Sequence, residues 1–315
     1  MNAVTLRLGS RRSPMAIAQS RLVAQQIRDA TGREVEIVGV TTLGDVSKAQ
    51  LTQIGGTGVF VSALREAILN GEVDLAVHSL KDLPAVQPAD VALAAVPSRD
   101  DPRDALIARD GAKIADLPTG ARVGTGSPRR ALQLLALRND LRCVPIRGNA
   151  GTRMARIGDG EVDAVVLAYA GLARIGRLDA VTQVFEPDEM LPAPGQGALA
   201  VECRSADVEL VRLLATVNDE MSMAAATAER GLLEALAAGC SAPVAAYAAA
   251  TNEGLDMRAV VLSTDGSTVL RAHGRGTPAQ ARRLGSDIAA ELLRAGAAEL
   301  IRVPQAPVST GNDVQ

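Results

Sequence analysis

A short phrase occurs twice in this chain and limits its fold more than any other feature. Gly71-Glu-Val-Asp-Leu-Ala-Val77 returns as Gly160-Glu-Val-Asp-Ala-Val-Val166. Each copy follows a predicted helix and opens a run that reads as a buried strand. Ser13-Pro14 and Ser127-Pro128 also correspond, each just after a strand-like run. Serine suits a helix N-cap and proline the first helical position. The two echoes together predict two related α/β halves with a cleft between them.

The pattern around the echoes supports this. Strands are expected over 4–8, 34–40, 74–77, 122–125, 142–146 and 163–167, alternating with helices from Pro14, over 61–69, from Pro128 and near 152–157. Such alternation favours a largely parallel sheet covered by helices. Residues 198–204 read as a further strand, with Leu199, Val201 and Cys203 on one face. Helical stretches then run to about Val217 and over 221–237. Strands near 244–250, 255–262 and 268–273 precede a helix over 278–294. This last part reads as a smaller α/β domain, and the tail from Pro304 as a loose end.

Composition excludes several function classes. Hydrophobic residues at 47% and charged ones at 22% fit a globular chain rather than a disordered one. The most apolar segment, 235–250, is broken by Gly239, Ser241 and Pro243. No signal-peptide core or membrane span is read, so a cytoplasmic address and no membrane partner are expected. Three cysteines without paired spacing fit a reducing compartment. Two histidines, His78 and His273, leave little material for a zinc site or a serine–histidine triad, and no metal is expected. Aromatics at 1% leave no base-stacking platform.

Charge is unevenly spread. Between Arg122 and Arg156 stand eight arginines (122, 129, 130, 138, 142, 147, 153, 156) against the single acid Asp140. The whole chain has three lysines (48, 81, 113), so compositional bias explains arginine in place of lysine. It does not explain the missing acids. Arg129 and Arg130 fall in the first turn of a predicted helix, where the macrodipole disfavours cations unless an anion sits there. Arg11 and Arg12 stand before the matching cap. An anion site fits both placements; pairing with acids elsewhere in the fold is the alternative. Nucleotide motifs fail: Gly124-Thr-Gly126 lacks the third glycine of a dinucleotide fingerprint, and Gly55-Gly-Thr-Gly58 lacks the P-loop Lys-Ser/Thr. That glycine run, ending in Phe60, reads equally as a flap over the cleft or as a plain connector.

His78-Ser-Leu-Lys-Asp-Leu-Pro84 lies at the carboxyl end of a predicted buried strand, the edge where ligands gather in open α/β sheets. A carboxylate there, Asp82, is able to stabilise a developing cation, although a turn-forming Asp before Pro84 is the plainer reading of the residues alone. His78 reads as a hydrogen-bonded core residue. Cys143 and Cys203 fall in strands and read as buried and inert, whereas Cys240 sits on a loop after Gly239, where a thiolate is presentable to a cleft.

Taken together, these segments resemble the porphobilinogen deaminase (hydroxymethylbilane synthase) family. The matching stretches are Arg11-Arg-Ser-Pro-Met-Ala16, Gly55-Gly-Thr-Gly-Val-Phe60, Val77-His-Ser-Leu-Lys-Asp-Leu-Pro84, Asp100-Asp-Pro-Arg-Asp-Ala105, Gly124-Thr-Gly-Ser-Pro-Arg-Arg130, Arg147-Gly-Asn149, Gly151-Thr-Arg153, Pro194-Gly-Gln-Gly-Ala198 and Gly239-Cys240. They run in family order up to about Val244. The resemblance implies two α/β domains like the halves of a periplasmic binding protein, plus a smaller α/β C-terminal domain. Residues 1–97 with 198–217 are then the first domain, 98–197 the second and 218–315 the third.

The resemblance also implies an activity. The family condenses porphobilinogen units head to tail with release of ammonia, and frees the linear tetrapyrrole hydroxymethylbilane. Its chain grows on a dipyrromethane cofactor held by a thioether, here to Cys240. Asp82 matches the catalytic aspartate. Ser79, Lys81, Asp82, Thr125, Ser127, Arg129, Arg130 and Arg153 match cofactor-binding positions. Arg11, Ser13, Gln19, Arg147, Arg153, Arg174 and Gln196 match positions that take the acetate and propionate groups of the pyrroles, and Phe60 belongs to the flap. Family members favour a monomer.

The residues suit that chemistry, because each pyrrole brings two carboxylates and arginine's fork matches carboxylates bidentately. Gln53 and Thr57 stand where well-known members carry flap lysines, and proline replaces leucine in Ser127-Pro128. A non-enzymatic binding module for an anionic ligand is the main rival reading. A nucleic-acid binder, resting only on the basic segment, is the weaker one, and no nucleic-acid partner is expected.

Overall fold

The computed structural model describes residues 5–40, 58–239, 242–264 and 266–301. Its strands in chain order are β1 (Leu6–Ser10), β2 (Val35–Gly39), β3 (Leu75–Ser79), β4 (Val91–Ala95), β5 (Asp104–Ala108), β6 (Arg122–Gly124), β7 (Arg142–Val144), β8 (Ala164–Ala168), β9 (Gln183–Val184) and β10 (Leu199–Arg204). They form two five-stranded sheets, ordered β2-β1-β3-β10-β4 and β7-β6-β8-β5-β9. The two orders are the same design. In each, parallel pairings join the first three strands, and an antiparallel strand separates the third from the fifth. The expected parallel character therefore holds for all but that strand; the first sheet takes it from beyond the second half of the chain (β10), whereas the second sheet's β5 opens its own half.

Local chemistry explains the repeated parts. Helix α1 (Pro14–Thr31) starts on Ser13, whose hydroxyl accepts from Ala16 N at 3.3 Å, with proline fixing the first turn. It ends on Gly32 in a left-handed conformation, φ 65°. Helix α2 (Gly58–Leu69) leads to the first copy of the echoed phrase, and α3 (Pro128–Leu137) starts on Ser127 as α1 does on Ser13. The phrase itself is a clasp. The Asp74 carboxylate accepts from Arg7 N at 2.8 Å and from its guanidinium, and Asp163 accepts from Arg122 N at 2.8 Å in the same way. Each aspartate thus registers its own strand against the parallel neighbour, β3 against β1 and β8 against β6.

Between these lie α4 (Ala150–Gly158) and α5 (Tyr169–Arg174), and after β10 comes α6 (Val208–Leu214). The two sheets are covered by separate cores. Leu8, Ile27 and Leu75 are fully buried in the first, and Leu106, Leu134 and Phe185 in the second. Burial of each such side chain contributes about 1.5–3 kcal/mol.

The third unit begins with α7 (Glu220–Ala235), followed by the antiparallel sheet β11 (Val244–Thr251), β12 (Gly254–Leu262) and β13 (Val269–Gly276), then α8 (Ala281–Arg294) and α9 (Ala297–Ile301). Helices α7 and α8 approach until side chains cannot fit between them: a Cβ on Gly285 would lie 2.0 Å from Ala228 O. The alanine-rich face of α7 serves that approach.

Two connections cross between the five-stranded sheets, residues 96–103 and 185–198, and they touch. Asp100 N donates to Gly197 O at 3.3 Å. Among the described residues no helix is long and apolar enough to cross a membrane.

Candidate active site

Nearly every residue singled out above lies just beyond the carboxyl end of a parallel strand, where open α/β sheets hold ligands. Arg11 and Ser13 follow β1, and Ser79 closes β3. Lys81 and Asp82 occupy a single 3-10 turn, Leu80–Asp82, which Leu80 N fixes by donating to Ala198 O at 3.0 Å. Thr125, Ser127, Arg129 and Arg130 follow β6, Arg147 follows β7, and Arg174 closes the helix after β8. Arg153 lies in the first turns of α4.

The centre of the site is a buried carboxylate. Asp104, at the start of β5, is fully buried, and its Oδ2 takes Arg129 Nη1 at 2.7 Å while its Oδ1 takes Arg130 Nε at 2.9 Å. Arg129 also donates to Leu191 O at 2.7 Å, and Arg130 to Val166 O at 3.2 Å. The acid absent from the arginine-rich segment is thus supplied by the neighbouring strand. Burial opposes ionisation of Asp104, but the two guanidinium charges overcome it and hold the carboxyl well below its usual range.

One carboxylate does not balance the cations around it. Lys81 is pushed down to about 8 by removal from water and by the Arg130 charge, against the pull of Asp82 and Asp104. Arg153 is lowered by burial and by Arg130, with Asp82 opposing. Arg129 is lowered mainly by burial, and its Nε is a buried donor with no partner among the described residues. Four cations (Lys81, Arg129, Arg130, Arg153) thus face two carboxylates (Asp82, Asp104), and burial with this like-charge crowding lowers Lys81, Arg129 and Arg153. A bound polyanion would balance that excess charge, which is the fit expected for a dipyrromethane group with its acetate and propionate arms. Lys81, Ser127, Arg129, Arg130 and Arg153 are the residues that would hold it.

The remaining positions fall around this centre. Gln196 is fully buried in the second crossing segment and bridges Lys81 to Asp104. Arg174 donates to Asp100 Oδ2 at 2.9 Å and to Gly197 O at 2.6 Å, tying α5 to both crossing segments. Arg147 is exposed, Gln19 is buried on α1, and the buried Thr125 hydroxyl accepts from Ser127 N at 3.2 Å. Cys240, Gln53 and Thr57 lie outside the described residues, as does the side chain of Phe60.

Cys143 and Cys203 are inert by environment, with burial pushing both thiols up to about 11. His78 is buried, its Nε2 3.3 Å from Glu202 Oε2, a core placement. Arg138 serves structure, pairing with Asp140 and donating to Ile114 O and Leu117 O. Among the described residues no group of histidines, cysteines and acids has the makings of a metal site. Asp104 is a site residue that no motif of its own marks, and its one sequence signal is an acid opening an apolar run, Asp104-Ala-Leu-Ile-Ala108.

Fold and site together define an α/β enzyme of two like halves whose cleft is built for a carboxylate-rich organic substrate. Residues 6–212 match the family model described as porphobilinogen deaminase, dipyromethane cofactor binding domain, and 223–294 match that of the porphobilinogen deaminase C-terminal domain. A porphobilinogen deaminase of Thermobifida fusca is 56% identical over 310 residues, covering 96% of this chain and 97% of its own. Porphobilinogen deaminase 1 of Streptomyces coelicolor is 53% identical over 314 residues, with 96% and 98% covered. The Mycobacterium marinum counterpart is 50% identical over 305 residues, with 94% and 96% covered. Among solved structures, a methionine binding protein aligns with a TM-score of 0.44 at 12% identity, covering 68% of this chain and 89% of its own. The chain belongs to the porphobilinogen deaminase family.

Proposed function

We propose that this protein is a hydroxymethylbilane synthase: it joins porphobilinogen molecules head to tail, releasing one ammonia at each addition, to give a linear tetrapyrrole. The observation that carries this reading is the surplus of buried and half-buried cations, Lys81, Arg129, Arg130 and Arg153, over the carboxylates Asp82 and Asp104 where the two sheets meet. A dipyrromethane group on Cys240, when bound, supplies the pyrrole carbon to which the first substrate is joined.

The chain's own residues divide the work. Asp82, held by its 3-10 turn at the mouth of β3, stabilises positive charge that builds on a substrate pyrrole as ammonia leaves. Arg11, Arg147, Arg153 and Arg174, with Ser13 and Gln19, hold substrate acetate and propionate groups; Gln196, fully buried with its amide engaged by protein partners, acts on the site through Lys81 and Arg130. Ser79, Thr125 and Ser127 add uncharged hydrogen-bonding groups beside the cofactor position, and Phe60 belongs to the flap. The divisions 1–97 with 198–217, 98–197, and 218–315 are supported by the membership of the three sheets. A monomer in the cytoplasm, with no nucleic-acid or membrane partner, completes the reading. Against a nucleic-acid partner stands the inward turn of Arg129 and Arg130 to Asp104, away from any DNA-binding stripe.

Intact-mass measurement tests the assignment. The purified protein is expected to weigh more than its bare chain by one dipyrromethane, and Cys240→Ala to lose that excess; a bare wild-type chain would point to the binding-module reading. Asp82→Asn is expected to keep the mass excess and the fold while turnover falls by roughly 100-fold or more, the scale of losing one preorganised electrostatic group. Retained turnover contradicts the role given to Asp82.

A further inference from the structure

We infer that Asp104 and Gln196 form a positioning pair that reaches across the cleft and sets the ammonium of Lys81. The Gln196 amide has its orientation fixed by its neighbours. Its Nε2 faces acceptors: Pro102 O at 2.7 Å, Asp104 Oδ1 at 2.9 Å and Arg103 O at 3.3 Å. Its Oε1 faces donors, Lys81 Nζ and Arg130 Nη2, each at 3.3 Å. Turning the amide over would set an oxygen against three acceptors and an NH2 against two cations, so one orientation alone satisfies the site. Asp104 therefore acts on Lys81 twice, by its charge and through the amide it aims.

The backbone leaves Gln196 no other place. It stands between Gly195, φ 76°, and Gly197, φ 87°, in the second crossing segment. Lys81 belongs to the first sheet and Asp104 to the second, so the contact spans the two halves at their junction. Lys81 is next to Asp82, and moving its ammonium changes the field at the carboxylate. The charged groups that face Lys81 are Asp82 on its own turn, Asp104 on β5, and Arg129 and Arg130 on α3.

The pair rests on the reading of Lys81 and Asp82 as site residues, but its test does not depend on turnover. The chain has three lysines, at 48, 81 and 113, so lysine-labelled holoprotein gives three side-chain resonances, assignable by single Lys→Arg changes. Gln196→Met keeps the volume and removes the acceptor. The Lys81 titration midpoint is expected to fall by roughly one pH unit, the scale of one hydrogen bond to a charged group. Gln196→Glu puts a carboxylate in the same place and is expected to raise it. Asp104→Asn is expected to lower it as Gln196→Met does. A purely structural Gln196 would lower the unfolding midpoint and leave the Lys81 titration where it was. A Lys81 midpoint that stays fixed in whichever of the two Gln196 variants folds overturns the proposal. If the midpoints move while wild type carries no cofactor, the pair stands and the functional reading fails.

Discussion

Glu229 grips Arg99 through both carboxylate oxygens, at 2.7 and 3.1 Å, and it is fully buried in doing so. The same carboxylate accepts from Gly195 N at 2.5 Å and from Ala248 N at 2.8 Å. One residue of α7 therefore holds the first crossing segment, the second crossing segment and strand β11 together. Arg99 adds a contact over the Tyr247 ring, 5.2 Å to its centre, and donates to Gln196 O at 2.9 Å. The third unit is thus pinned to the junction of the two halves by a buried ion pair.

Glu229→Ala is expected to cost about 3–5 kcal/mol, because it leaves the Arg99 guanidinium buried without its charge partner. Urea unfolding followed by circular dichroism measures this. A cost of a few tenths would mean that water fills the gap and that the pair has little hold on the junction.

Gly197→Ala is expected to disturb the site from within the backbone. A Cβ there would lie 2.4 Å from Asp100 O, and φ at 87° is already unfavourable for alanine. The two crossing segments must separate and carry Gln196 with them, so stability and turnover are expected to fall together. Gly32→Ala is the control, since at φ 65° a Cβ meets nothing within 4 Å and only the conformational cost, about 1–2 kcal/mol, applies. Thermal unfolding of the two variants side by side separates strain from collision; equal losses would remove collision as the cause.

Much of this was legible in the sequence, and the failures have a common cause. The Ser-Pro helix starts and the two echoed phrases act over a few residues, so local chemistry exposes them. Strands β4 and β5 were not read. Val91-Ala-Leu-Ala-Ala95 has little of the β-branched character that marks a strand, and β5 is buried throughout, so it shows no alternation. Because β5 went unread, the acid that answers Arg129 and Arg130 went unseen, although Asp104 stands only 25 residues before Arg129. Burial and long-range pairing put it there, and neither leaves a periodic trace.

A third prediction concerns acid. Burial opposes ionisation of Glu202, yet His78, Arg65 and Gln87 beside it hold its carboxyl down to about 2, from an ordinary 4.5. A carboxyl lowered by folding contributes stability that is present above its unfolded value and lost as pH falls toward its folded one. Wild-type stability is therefore expected to fall steeply between pH 4.5 and about 2. Glu202→Gln is expected to be less stable at pH 7 and to lose less over that window. Parallel slopes for the two proteins in acid denaturant titrations would rule Glu202 out as a source of acid sensitivity.

The late antiparallel strand of the first sheet sets an order on synthesis. β1, β2, β3 and β4 are all made by residue 95, but the strand that must lie between β3 and β4 ends at Arg204. The second sheet has every strand in hand by residue 184. A chain emerging from the ribosome can therefore close its second half first, while the first half waits with an open gap beside β3. The Leu80–Asp82 turn follows β3 directly, so of the two five-stranded sheets the later to close is the one that presents Asp82.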